Sequence, residues 1–99
     1  MVKWSVPARN DLKQIYAYIA KDSKYYARNV IQEIVVKTET LTELPEIGRI
    51  VPEISDQNIR ELIVYSYRLI YEISEGGIAI LAIIHGKRDF NSAWNARDH

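Results

Sequence analysis

Apolar residues recur with two different periods along the chain, one typical of helices and the other typical of strands. The first helical stripe advances in steps of four, three and four residues and consists of Ala8, Leu12, Ile15 and Ile19. The second stripe consists of Ala27, Val30, Ile31, Ile34, Thr38 and Leu41. Each stripe predicts an amphipathic helix with one buried face. Only Asp22 and Ser23 separate the two helices, which predicts an antiparallel helical hairpin with Ser23 as the second N-cap.

The strand-like period dominates the second half of the chain. Residues 2–6, 59–65, 67–74 and 78–85 are predicted strands. The third alternates between two faces, and the fourth is almost entirely aliphatic, as expected of a strand covered on both sides. The turn at residues 75–77 leaves the register open. A three-residue loop puts Arg68 opposite Ile84, whereas a two-residue loop puts Arg68 opposite Ile83.

The predicted element order is β-α-α-β-β-β, which indicates an α+β fold. The helical hairpin packs on one face of a small, mainly antiparallel sheet, and the other face is left partly open. Residues 45–58 contain two prolines, one glycine and five acids or amides, and are predicted to form a loop. We therefore expect one domain at residues 1–90, followed by a polar tail at 91–99 with Trp94 as its large anchor.

Composition narrows the class of protein. Ninety-nine residues, 47% of them hydrophobic and none of them cysteine, fit one domain without disulfides or thiolate metal sites. The absence of a signal peptide and of a membrane span predicts a cytoplasmic protein. The net charge is zero, but residues 1–30 hold six basic and two acidic side chains, or +4. Because nucleic-acid binding normally requires an overall basic excess, this charge distribution does not call for nucleic acid.

Four motifs resemble one family of proteins, and they occur in the family's order and spacing. They are WSVPARNDLKQIYAYI at residues 4–19, LPEIGR at 44–49, REL at 60–62 with YRLIY at 67–71, and IIHGKRD at 83–89. Together they resemble the ParE/RelE superfamily of toxins from type II toxin–antitoxin systems, and its ParE branch in particular. The resemblance extends over about residues 4–90 and implies the fold predicted above.

The sequence indicates no cofactor, metal site or membrane span, and the resemblance implies a toxin. ParE-like toxins poison DNA gyrase, whereas RelE-like toxins enter the ribosomal A site and cut mRNA. Both are neutralised by a cognate antitoxin whose C-terminal segment wraps the toxin. The expected partners are therefore an antitoxin and DNA gyrase, with the ribosome and mRNA as the alternative. We expect a hetero-oligomer with the antitoxin, and a toxin dimer is the other assembly considered.

An mRNA-cleaving enzyme would need a base, an acid and cations around the scissile phosphate. The residues available for these roles are Arg60, Arg68, His85 and Arg88. This set is sparse for a RelE-like nuclease, and no tyrosine follows Tyr71, although such toxins often have a C-terminal tyrosine. The sequence therefore favours a toxin that acts by binding. A structural role for His85 at a strand end is the competing interpretation.

Tyrosine and arginine side chains are the candidates for contacts with the target or the antitoxin, because both types are enriched at interface hot spots. The candidates are Tyr16, Tyr18, Tyr25, Arg49, Arg60, Arg68, Tyr71 and Arg88. Each also has a structural interpretation. Arg68 would stack on neighbouring tyrosines, Arg60 would pair with Glu61 or Glu72, and the helical tyrosines would pack or lie on the surface.

Overall fold

A five-stranded mixed sheet organises the chain in a computed structural model that describes residues 1–96. The elements are β1 (Val2–Trp4), α1 (Val6–Ala20), α2 (Lys24–Glu39) with a short 3₁₀ turn (Thr40–Thr42), β2 (Arg49–Ile50), β3 (Ile59–Val64), β4 (Tyr67–Ser74), β5 (Gly77–His85) and α3 (Phe90–Asn95). The strand order is β1-β5-β4-β3-β2. Only β1 and β5 run parallel among these strands. The predicted α+β fold, with a helical hairpin on a mainly antiparallel sheet, is confirmed.

Serine side chains cap the N-termini of both long helices. The Ser5 hydroxyl accepts a hydrogen bond from the Ala8 N–H, and Pro7 occupies the first turn, where it removes no intrahelical bond. The Ser23 hydroxyl accepts from the Tyr26 N–H, which confirms the predicted cap. The apolar stripes of α1 and α2 pack on one face of the sheet, where the larger hydrophobic core lies.

Much of the second face of the sheet is covered, although Ile63 on this face keeps 60% of its surface exposed, in keeping with the expectation that the face is partly open. Three strand residues on this face, Ile70, Ala82 and Ile84, are buried. They pack against Val51 from the segment before β3 and against Phe90 from α3. An apolar face of this kind needs a cover, because exposing it to water costs free energy. The cover comes from segments without a strong periodic pattern.

Two of these segments differ from the sequence-based prediction. The predicted loop at residues 45–58 contains β2, which pairs Arg49 with Glu61 and Ile50 with Arg60. The expected tail at 91–99 contains most of α3, in which Ala93 is buried. A two-residue strand and a six-residue helix are too short to show a period in the sequence. Residues 97–99 of the expected tail lie outside the described residues.

A β-bulge in β5 combines the two registers that the sequence leaves open. The loop has two residues, because Ser74 pairs with Gly77, yet Arg68 pairs with Ile84 as in the three-residue alternative. Leu81 has no partner on β4 and accounts for the shift. Since side chains alternate along a strand, the extra residue turns Ile83 to the same face as Ile80. After the bulge, the residues of β5 that face the helices are therefore the odd-numbered ones.

Candidate functional site

A buried carboxylate lies beneath β2. The side chain of Glu61 on β3 is fully buried, and its two oxygens accept hydrogen bonds from Arg49 Nε and Arg68 Nε, each at 2.5 Å. A buried charge is costly unless it is paired and hydrogen-bonded, and here both oxygens are paired. The two arginines therefore attach β2 and β4 to the carboxylate that lies between them.

Arg68 connects three parts of the second face. Besides Glu61, its guanidinium makes two bonds to the Glu53 carboxylate, at 2.7 and 3.0 Å. It also lies 4.5 Å from the centroid of the Phe90 ring, which stacks on Trp94. The predicted stacking of Arg68 on tyrosines is therefore wrong, because the bond network directs the side chain towards α3. Hydrogen bonding to Glu53 raises the pKa of Arg68 above its ordinary value, so the guanidinium stays charged.

Tyr71 holds the turn that leads into β2. Its buried hydroxyl donates to the Pro45 carbonyl at 2.7 Å and accepts from the Gly48 N–H at 3.0 Å. Burial raises the pKa of Tyr71, so the phenol remains protonated and able to donate. Gly48 is required by this close approach, because a Cβ there would lie 2.5 Å from the Glu61 backbone oxygen.

Arg60 also holds the turn that leads into β2, through bonds to its backbone carbonyls. It donates to three backbone carbonyls, those of Gln57 and Gly48 at 3.0 Å and that of Glu46 at 3.5 Å. The predicted ion pair with Glu61 or Glu72 is wrong, because the guanidinium is directed along the edge of the sheet towards these carbonyls. Four of the eight candidate contact residues thus hold residues 45–58 in place: Arg49, Arg60, Arg68 and Tyr71. Of these, Arg49 also reaches solvent, with 63% of its side chain exposed.

A second group of predicted residues meets at a groove between α1 and the end of β5. The groove has a volume of about 280 Å³, and its lining includes Tyr18 and Asp11 from α1 together with His85 and Arg88. An adjoining cavity shares Tyr67 and His85 with it and adds aromatic side chains from α2 and the β3–β4 turn. We call the combined surface the tyrosine groove, defined by Tyr18, Tyr26, Tyr65, Tyr67, His85 and Arg88.

The bulge in β5 delivers His85 to this groove. His85 faces the helices, with its ring edge-on to Tyr67 at a centroid distance of 5.3 Å. Its Nδ1 accepts a hydrogen bond from the Lys87 N–H at 3.1 Å. In the neutral ring the proton therefore lies on Nε2, so the nitrogen that remains for a ligand is a donor. This arrangement suits binding better than general-base catalysis.

The remaining candidates vary in exposure. Tyr18 and Tyr25 have 70% and 72% of their surface exposed, whereas Tyr16 is half-buried. Lys21 lies 5.9 Å from the centroid of the Tyr18 ring. Tyr16 and Tyr25 do not line the tyrosine groove. The exposed guanidinium of Arg88 has no hydrogen bond or ion pair to the part of the chain that the structure describes.

Three aromatic residues of the groove are not among the eight contact candidates named from the sequence: Tyr26, Tyr65 and Tyr67. The signal for Tyr67 is present in the alternation of β4, which places it on the helical face. Tyr65 lies in the two-residue β3–β4 turn with a φ of 54°, and no sequence period predicts where such a side chain lies.

The four candidate residues for RNA cleavage do not lie together at one site, and two of them are bound to other groups of the fold. Arg60 is held by backbone carbonyls and Arg68 by carboxylates, while His85 and Arg88 lie at the tyrosine groove. Arg68 and His85 line a common shallow cavity, but the guanidinium there is directed away to its partners. Among residues 1–96, no group of three or more side chains could hold a metal ion. No helix of that region is long and apolar enough to cross a bilayer.

Comparison with known proteins identifies the family. Residues 2–90 match the family described as the ParE toxin of type II toxin–antitoxin system, parDE. The chain belongs to the ParE toxin family. A solved structure of the chromosomal ParDE TA system from P. aeruginosa has the same fold, with a TM-score of 0.70. At 24% sequence identity, the likeness covers 85% of this chain and 92% of that one. No curated protein matches the sequence.

The close approach at Gly48 gives a stability prediction for this ParE-family chain. In Gly48→Ala, the new Cβ would lie 2.5 Å from the Glu61 oxygen and 2.6 Å from the Tyr71 hydroxyl, so the turn must move. We expect a loss of about 1–3 kcal/mol in the free energy of unfolding, measured by chemical denaturation. Gly76→Ala is the control, because its Cβ meets only Ser74 Oγ at 4.0 Å. Equal stability of the two variants would contradict the role of Gly48.

The ion pair between Glu53 and Arg68 gives a pH prediction. The hydrogen bond from Arg68 holds the pKa of Glu53 below its ordinary value of 4.5. The pair therefore stabilises the fold above pH 4.5, and this contribution is lost as the pH falls through the lower, folded-state pKa. Glu53→Gln should destabilise the protein at pH 7 and have less effect in acid, measured by thermal unfolding across pH. Glu43→Gln, at an exposed acid without a described partner, should show no such difference.

Proposed function

We propose that this chain is a cytoplasmic toxin that arrests growth by binding DNA gyrase, and that a cognate antitoxin neutralises it by binding the toxin. The ParE family membership supports a toxin of a type II toxin–antitoxin pair. The choice of gyrase follows the ParE branch that the motifs resemble. Binding, and not catalysis, is the basis of the proposed toxicity.

The observation that carries the proposal is that Arg60 and Arg68 are already bound to other groups of the fold. Cleavage of RNA without a metal requires cations that can approach the phosphate, and a base with an accessible lone pair. Arg60 and Arg68 are already bound to carbonyls and carboxylates of the fold, and Nδ1 of His85 accepts a backbone N–H. The mRNA-cleaving alternative would have to break the contacts by which Arg60 and Arg68 hold residues 45–58 in place.

The tyrosine groove supports an interface with another protein. Tyr18, Tyr26 and Tyr65 expose between half and three quarters of their surface, and they lie beside the partly buried Tyr67. Tyrosine contributes a large, rigid contact area with a hydroxyl that can hydrogen-bond, which is why it is enriched at hot spots. We propose that the gyrase contact includes this groove and that the antitoxin acts by covering it.

The first test is a supercoiling and DNA-cleavage assay with purified gyrase, run beside an in-vitro translation reaction probed for cuts in the mRNA. We expect cleaved plasmid to accumulate while the message stays intact, and added antitoxin to restore supercoiling. Message cut at ribosomal A-site codons with gyrase unaffected would overturn the proposal. Arg60, Arg68, His85 and Arg88 would then be the first alanine substitutions to assay.

Two exposed tyrosines provide a matched pair for locating the target contact. Tyr18→Ala removes a side chain of the groove, whereas Tyr25→Ala removes an equally exposed one outside it. Loss of a hot-spot tyrosine typically costs more than 1 kcal/mol, so Tyr18→Ala should raise the toxin concentration for half-maximal gyrase poisoning by about tenfold. Tyr25→Ala should leave it nearly unchanged. Equal effects would show that the groove is not the gyrase contact.

A further inference from the structure

Strand β2 covers only the first half of its neighbour β3. It is two residues long and pairs no further along β3 than Glu61. Continued antiparallel pairing would place Ile47 opposite Ile63. Ile47 instead donates its N–H to the Leu44 carbonyl at 3.2 Å, in the turn that precedes β2. The outer edge of β3 is therefore left without a neighbouring strand at Ile63.

The hydrogen bonds on either side of β3 show in which direction its backbone groups point. The Ile73 N–H bonds to the Asn58 carbonyl from the β4 side, whereas the Val51 N–H bonds to the Ile59 carbonyl from the outer side. Because these groups alternate along an antiparallel strand, the odd-numbered residues of β3 point away from β4. The N–H and the carbonyl of Ile63 thus both point outward, and neither has a hydrogen-bond partner within residues 1–96.

The side chains at this edge are apolar and exposed. Ile63 exposes 60% of its surface, and Tyr65 in the turn after β3 exposes 51%. Natural edge strands are usually protected from pairing by charges, prolines or bulges. Residues 62–64 contain no charge or proline, and their pairing with β4 has no bulge. This edge is therefore open to pairing with another strand.

The charges beside the edge are self-complementary. Glu33 and Lys37 of α2 line a cavity next to Ile63, and both side chains are about half exposed. The partly exposed Val36 lies on the same helix face. A partner of one sign would be attracted by one of these charges and repelled by the other. A second copy, turned by a two-fold axis, brings its lysine to this glutamate and its glutamate to this lysine.

A two-fold axis also fits the free backbone groups. Two copies related by an axis perpendicular to the sheet have antiparallel edge strands, and the residue at the axis faces its own counterpart. Ile63 can take this position, because a hydrogen-bonded antiparallel pair uses both the N–H and the carbonyl of each residue. Leu62 and Val64 cannot, because their groups point towards β4, and the outer side of Glu61 is occupied by Arg49.

We propose that two copies of this chain pair edge to edge through β3, with Ile63 of each copy opposite Ile63 of the other and Lys37 of each copy beside Glu33 of the other. This interface goes beyond the proposed function, because it requires neither gyrase nor the antitoxin. It gives a specific contact to the toxin dimer considered from the sequence. Tyr65 lies both at this edge and in the tyrosine groove, so the pair carries one groove on each side of its axis.

A single introduced cysteine tests the register, because the chain has no cysteine of its own. Opposite residues of a hydrogen-bonded antiparallel pair have Cα atoms about 5.5 Å apart, which a disulfide can span. Under oxidation, Ile63→Cys should form a covalent dimer at least about tenfold faster than Ile50→Cys, because the paired edge raises the effective concentration of its thiol. Ile50 is the control because it is an exposed isoleucine on the neighbouring strand β2. Non-reducing electrophoresis of the full chain measures both rates.

The cross-linking outcomes separate this edge from other contacts. Equal rates for the two variants would indicate random collision and overturn the proposal. A faster reaction of Ile50→Cys would identify β2 as the contact instead. Light scattering of the unmodified chain should give twice the mass of one chain at high concentration, and the mass of a single chain at every concentration would also overturn the pair. Thermal unfolding of the reduced variants verifies that each is folded.

Charge exchange tests the contact between the helices. Lys37→Glu and Glu33→Lys each give a copy two like charges at the edge, so each variant should dimerise about tenfold more weakly at low salt. An equimolar mixture of the two should regain pairing as a heterodimer, because an acidic copy then meets a basic one. Lys13→Glu, at an exposed lysine of α1, is the matched control and should pair as the unmodified chain does.

Sedimentation velocity measures the dissociation constant of each variant and of the mixture. Weakened pairing that returns on mixing supports the two-fold arrangement. Weakened pairing without recovery on mixing, or an equal loss in Lys13→Glu, would contradict the contact between Lys37 and Glu33 across the axis.

Discussion

The burial of the Glu61 carboxylate is the constraint on which the second face of the molecule depends. A carboxylate removed from water requires cationic partners, and Arg49 and Arg68 supply them from the two neighbouring strands. Arg68 then holds Glu53 and lies over Phe90, so one charge pair fixes both covers of this face. Replacing Arg68 would leave Glu61 with Arg49 alone, whose side chain is 63% exposed, and would also release Glu53.

The second organising feature is the unpaired Leu81. Without it, Ile83 and His85 would face away from the helical hairpin, because a one-residue shift exchanges the two faces of a strand. With it, His85 lies against Tyr67 and Arg88 follows at the end of the groove. The same bulge lies where β1 ends, so the end of the β1–β5 pairing and the tyrosine groove lie close together.

These two features divide the basic residues into two groups with different roles. The arginines of the strands serve the fold, whereas His85 and Arg88 remain at a surface that also carries exposed tyrosines. This division is compatible with a toxin that acts by binding, because an interface needs contact area and complementary charge. A nuclease would need the two groups to converge on one phosphate. The proposed function follows from this separation and from the ParE family membership.

The helical hairpin, four of the five strands and the family are predictable from the sequence, because long periodic segments and local motifs specify these features residue by residue. The partners of Arg60 and Arg68, the extent of α3 and the position of His85 depend on contacts between distant parts of the chain. Arg60 donates to backbone carbonyls instead of pairing with Glu61, and Arg68 lies over Phe90 instead of the tyrosines. The arginine contacts depend on which long side chains meet across the sheet, and the position of His85 depends on the unpaired Leu81. Neither feature produces a periodic pattern in the sequence.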